Sequence, residues 1–122
     1  MKKILILLIL PLALPSFKET PLQRADNDFD VTIESPEFKE NKPVILFDEG
    51  HNNFHTTNGF YEPFANLVRN DGYNLKTLTT PVTAEVLNSA SIYAFVNAKG
   101  KGDLNDTPAF TEDETEIIKN WH

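Results

Sequence analysis

The sequence predicts an α/β fold, three layers deep with a mostly parallel sheet, and three observations carry that prediction. Residues 44–47 (Val-Ile-Leu-Phe) and residues 92–96 (Ile-Tyr-Ala-Phe-Val) are short apolar runs without polar alternation, the signature of strands buried on both faces. Segments of helical periodicity lie between and after them. Strands that alternate with helices imply right-handed crossovers and parallel strands covered by helices on both sides.

Each element has a local reason. The first core strand, residues 44–47, opens after Pro43 and runs into a polar loop over residues 48–59. A helix over residues 61–71 follows, with Phe60, Phe64, Leu67 and Val68 at near-helical spacing. Pro63 falls in its first turn, where a missing N–H costs little, and Gly72 suits the left-handed position that ends a helix. Residues 74–78 form the second strand. A short helix follows Pro81, with Thr83 as N-cap, Glu85 in its first turn and Val86 and Leu87 inward. Residues 92–96 are the third strand. The last helix opens on Thr111-Glu112-Asp113-Glu114, a capping box in which Thr111 and Glu114 satisfy each other's backbone donors, and Ile117, Ile118 and Trp121 are its buried stripe. The acidic residues there complement a helix N-terminus without implying function.

The N-terminus reads as a targeting segment. Met1-Lys2-Lys3 is followed by an apolar run over residues 4–14, interrupted only by Pro11. That run is short for a bilayer span, so residues 1–17 are expected to be a secretory signal peptide, with an uncleaved anchor as the alternative. The expected destination is periplasmic or extracellular, with no membrane attachment after cleavage. Residues 18–42 form a polar leader in which Phe29, Val31 and Ile33 alternate with Asp30, Thr32 and Glu34. This predicts an edge strand or a segment draped over the domain; a disordered linker is the alternative.

Composition removes several function classes. The chain has no cysteine, which excludes disulfides and thiolate nucleophiles. A formal net charge of -7 without a Lys/Arg run lacks the electrostatic footprint of a nucleic-acid binder. No G-x-S-x-G elbow supports serine hydrolase chemistry. Lys99-Gly100-Lys101-Gly102 departs from the phosphate-loop pattern and reads as a solvated loop.

The functional candidates cluster directly after the first strand: Asp48, Glu49, His51, Asn52, Asn53 and His55, with Tyr61 beyond them. In an open parallel sheet, ligands bind just past the carboxyl ends of the strands, where these groups are expected. They admit three readings. Asp48, His51 and His55 are suited to a divalent metal such as zinc, with Glu49 as general base towards a bound water. Alternatively, Asp48, Glu49, Asn52 and Asn53 bind a sugar or another small polar ligand against Phe54, Phe60 and Tyr61. The third reading is structural: the polar side chains hydrogen-bond the loop's own backbone and fix its shape.

The motif Phe47-Asp48-Glu49-Gly50-His51-Asn52-Asn53-Phe54-His55-Thr56, then Gly59-Phe60-Tyr61, Pro63-Phe64-Ala65 and Asp71-Gly72-Tyr73, resembles an uncharacterised bacterial exported family. That family's domain is similar to class-I glutamine amidotransferases, a flavodoxin-like α/β fold. Ala109-Phe110-Thr111, Glu114 and Trp121 match a later landmark, so the likeness runs over roughly residues 29–121. It implies an amidotransferase-like domain over residues 43–122. Glutamine hydrolysis is not implied, because the cysteine nucleophile on which that chemistry depends is missing. In such proteins the tryptophan-bearing helix leads into a Gly-Gly turn, a further strand and an Asp-His pair. The resemblance therefore marks this chain as the family's N-terminal half, with a domain incomplete at its C-terminus; a small domain finished by its helix is the alternative. The expectations for function are a non-catalytic ligand-binding or scaffolding module, a metal-dependent hydrolase completed elsewhere, or a remnant without independent activity. If the sheet is unfinished, an open apolar edge beside residues 44–47 invites oligomerisation or aggregation, and a protein partner becomes a second candidate occupant.

Overall fold

The computed structural model describes residues 24–101 and 107–121. The expected signal peptide, residues 1–17, lies outside the described residues. Among those described, no helix is long and apolar enough to cross a membrane.

The elements follow the strict alternation that the sequence predicts: β1 (Val44–Asp48), α1 (Glu62–Asn70), β2 (Asn74–Leu78), α2 (Ala84–Asn88), β3 (Ile92–Ala94) and α3 (Glu112–Lys119). The sheet is open and all parallel, in the order β2-β1-β3. Val44 pairs with Asn74 and Asp48 with Leu78 on one side, and Ile45 with Ile92 on the other. This is an α/β architecture consistent with a small flavodoxin-like layout.

β1 is central, which explains why it has no polar alternation: Ile45, Leu46, Phe47 and Asp48 are all buried. Successive side chains of a strand point to opposite faces. Phe47 meets Tyr61 and Phe64 at the start of α1, with ring centroids 5.8 and 6.4 Å away. Leu46 joins Leu78, Val82 and Leu87, against which Ile117, Ile118 and Trp121 of the α3 region pack. One face of the sheet thus belongs to α1 and the other to α2 and α3. The chain leaves β1 for one face and β3 for the other, so the crevice between their carboxyl ends is the topological switch point of this sheet.

The open edge is not beside β1, as expected from the sequence; β1 has a hydrogen-bonded neighbour on each side. The edges are β2 and β3, and they differ. β2 is mostly polar (Asn74, Leu75, Lys76, Thr77, Leu78), with a lysine of the kind that discourages edge pairing. β3 has no charge, and Ile92 is 42 % exposed. β3 is also shorter than the apolar run that predicts it. Beyond Ala94 the chain leaves the ladder, because the Val96 carbonyl accepts from Asn53 and the Asn97 carbonyl from the Phe54 amide.

Helix ends behave as their residues dictate. Gly72 (φ 96°) follows the Asp71 C-cap, and its N–H bonds the Arg69 carbonyl while Tyr73 N–H bonds Val68, the paired closure of a Schellman motif. Thr83 caps α2, and the Thr111–Glu114 capping box of α3 is fully formed. The α1 stripe is the partial exception: Ala65 is its buried residue, and Phe64 is 40 % exposed.

The leader forms no strand at residues 29–33 and instead drapes over the α1–β2 corner. Phe38 N–H donates to the Asp71 carbonyl and Glu37 N–H to the Asp71 carboxylate, Asn70 donates to the Val31 carbonyl, and Phe38 packs edge-on to Tyr73 at 4.7 Å. A Cβ on Gly72 would clash with the Phe38 carbonyl oxygen. Gly72→Ala is therefore expected to cost at least the ~1–2 kcal/mol of a left-handed residue and to lift the leader off the corner. Limited proteolysis, with faster cleavage within residues 24–42, checks this; unchanged cleavage and stability would contradict it.

Candidate functional site

The loop after β1 is built around one imidazole. Asp48 ends β1 pointing into the α3 side of the sheet and is fully buried, as is His51 apart from 8 % of its surface. His51 Nδ1 lies 2.8 and 2.9 Å from the two Asp48 oxygens, and Nε2 lies 2.9 Å from Glu114 Oε1 on α3. Glu114 Oε1 also accepts the Val82 amide (2.9 Å), while Oε2 accepts the Thr111 amide and hydroxyl. The His51 carbonyl in turn accepts the Lys99 and Gly100 amides of the loop after β3. His51 therefore ties together the loop leaving β1, the loop leaving β3 and the first turn of α3. Through Glu114 it reaches the entrance to α2.

Electrostatics follow from this geometry. Burial alone would lower the His51 pKa, but hydrogen bonds and charge from Asp48 and Glu114 outweigh it, and the net shift is upward. Burial would raise Glu114, yet the amides of Thr111 and Val82, with His51 and the Thr111 hydroxyl, pull it down to about 2. Tyr93 is pushed up by burial first, then by the negative charge of Asp48 and Glu114.

The Tyr93 hydroxyl is buried near Asp48 but, among the described residues, no partner meets it in hydrogen-bond geometry. A buried orphan hydroxyl costs about 1–3 kcal/mol. Tyr93→Phe is accordingly expected to leave stability unchanged or raise it by about 1 kcal/mol. Thermal and urea unfolding check this, and a loss above about 1 kcal/mol would show that the hydroxyl is engaged after all.

The other candidates brace the loop or pack. Glu49 Oε1 accepts the amide and hydroxyl of fully buried Thr57, both at 2.8 Å. Asn53 Nδ2 donates to Asp48 Oδ2 and to the Val96 carbonyl, and its Oδ1 accepts the His51 amide. Asn52 takes the left-handed conformation (φ 52°) that asparagine tolerates, which turns the loop. His55 is buried on the aromatic side, against Phe54, Phe60 and Tyr61, with Nδ1 3.0 Å from Asn97 Nδ2. Phe54, half exposed, has Phe60 at 5.3 Å and the Lys99 ammonium 4.6 Å from its ring centroid. Tyr61 packs tilted against Phe47 and edge-on to Phe64, within the α1 face of the core.

The metal set Asp48, His51 and His55 is not brought together. Both nitrogens of His51 are taken by carboxylates, and His55 is turned to Asn97 and the aromatic cluster. Among the described residues, no group of three or more His, Cys, Asp or Glu side chains could hold a metal ion. Glu49, engaged by Thr57, is not presented to any such ion. The ligand set also divides: His51 and Asn52 line a cavity, whereas Asp48, Glu49, Asn53, His55 and Tyr61 do not.

That cavity, about 590 Å³, lies past the carboxyl ends of the strands on the α3 side. Its walls are residues 50–52, Pro81 and Val82, Gly100 and Lys101, and residues 107–114. Glu114, which the sequence marks as a helix cap and as part of a family landmark, is the residue of this site that the sequence does not single out as a site residue. Its second oxygen was the available signal, since a capping box uses one and leaves the other to be accounted for.

Compared with family models, curated proteins and solved structures, this chain matches none.

Proposed function

We propose that this protein is an exported, non-catalytic ligand-binding module on an amidotransferase-like α/β domain, with the strand-end cavity as its site. One observation carries this reading. The polar side chains that chemistry at this loop would need are spent on one another, with His51 held from both sides by Asp48 and Glu114, while an open cavity stands beside them. A base or metal ligand must present a free lone pair, and His51 would have to break a buried contact to provide one. The volume lies within the range of small-molecule sites, and the position matches the crevice that open α/β sheets use.

Metal analysis of the purified protein, with hydrolase assays in the presence of zinc or manganese, tests the proposal. No bound metal and no turnover are expected. Stoichiometric metal that is lost in His51→Ala and His55→Ala, together with metal-dependent turnover, would replace this reading by the hydrolase.

A further inference from the structure

We propose that the ligand is an uncharged, mainly apolar small molecule such as one carrying an aromatic ring, and not the sugar or polyol that the polar loop sequence suggests. The proposal rests on the binding role assigned above and names what the cavity can hold.

The argument is an account of hydrogen-bond capacity. Binding a polyol requires partners for every hydroxyl it buries, because an unmet buried polar group costs about 1–3 kcal/mol. Among the described residues, the polar side chains nearest the bridge, His51, Glu114 and Thr111, are already engaged. His51 uses both nitrogens, and Glu114 uses Oε1 for His51 and Val82 and Oε2 for Thr111. The Thr111 hydroxyl donates to Glu114 Oε2 and accepts the Glu114 amide. The His51 carbonyl already takes two amides. Most of what remains among the described residues is apolar: Pro81, Val82, Pro108, Ala109 and the Phe110 ring, with only the exposed Asn52 and Thr107 side chains left as uncharged polar groups. Phe110 is itself held, 4.3 Å from the His51 ring and 5.2 Å from Phe95 by centroids, so this wall is preset. Charged ligands fare no better. The carboxylates of Glu112 and Asp113 and the Lys101 ammonium are exposed, where water screens them.

The alternative platform for a sugar, the Phe54–Phe60 pair, is engaged within the protein: Phe60 packs against Phe54 and His55, and Lys99 stands over the Phe54 ring, which remains half exposed.

The test titrates the full chain with indole and, separately, with glucose, following amide shifts by NMR. Indole is expected to saturate with a submillimolar to millimolar Kd and to move the Gly50, Val82 and Ala109 amides, with glucose silent at the same concentrations. Ala109→Phe, which fills the cavity from its wall, should weaken indole at least tenfold; its thermal unfolding transition confirms that it is folded. Should it fail to fold, Pro108→Trp serves the same purpose. Glucose saturating those amides while indole does not would overturn the ligand class and leave the binding site standing. If neither probe moves them, both the class and the site fall. Indole binding that survives cavity filling overturns the assignment to this cavity.

Discussion

His51→Ala is expected to destabilise the protein by about 3–5 kcal/mol, the range for removing one partner of a buried ion pair. The substitution leaves Asp48, fully buried, and Glu114, 6 % exposed, facing the space where their shared imidazole stood. Since whole domains are stable by only about 5–15 kcal/mol, the variant should be largely unfolded at modest urea concentrations. Urea unfolding measures the effect, and a loss below about 1 kcal/mol would show that the bridge contributes little.

The same bridge sets a pH window. His51 has its pKa raised by folding, so its contribution is complete below the ordinary histidine value of 6.5 and is lost as pH rises through the folded value. Glu114 has its pKa lowered, so its contribution is complete above the ordinary value of 4.5 and is lost as pH falls towards about 2. The wild type should therefore gain most from the bridge between those ordinary values, and His51→Ala should flatten the alkaline side of the profile. A variant whose stability follows the wild-type curve throughout would contradict this.

The second large effect lies across the sheet. Phe47→Ala is expected to cost about 3–5 kcal/mol, through lost burial and the void left behind. Phe47 is 1 % exposed and holds the rings of Tyr61 and Phe64 against β1, so the truncation also removes the floor of α1. Loss of the near-ultraviolet aromatic signal together with the unfolding midpoint checks it. An ordered aromatic signal with little loss of stability would mean that α1 repacks without the ring.

The two substitutions also mark what could be read from the residues. Strands and helices were legible because their signals are local: the unbroken apolar run of β1, the Thr111–Glu114 box and the Gly72 stop each act within a few positions. β3 ended early for a reason no local pattern contains, since Asn53 and Phe54, some forty positions away, claim the carbonyls of Val96 and Asn97. The leader's alternation at Phe29–Val31–Ile33 is real, but its hydrogen bonds go to the α1–β2 corner and not to a ladder. At the loop after β1 the residue set was visible, and of its three readings the bracing one describes most members. What stayed hidden was direction. His51 and His55 are four positions apart yet turn to opposite sides of the sheet, one to Glu114 and the other to Asn97 and the aromatics. Neither the cavity nor the role of Glu114 in its wall follows from spacing, because both arise from a contact between residues 51 and 114.

The knot at His51 bears on how this end of the molecule moves. Its ring and carbonyl together secure segments following all three strands, so none of these can loosen alone without stranding a buried partner. The rim should open as one cooperative unit, with the Val82, Lys99 and Gly100 amides sharing a single hydrogen-exchange rate close to that of β1. On the proposed binding role, such a rim would receive a ligand without rearranging, and association would be governed by diffusion into the cavity and selectivity by shape.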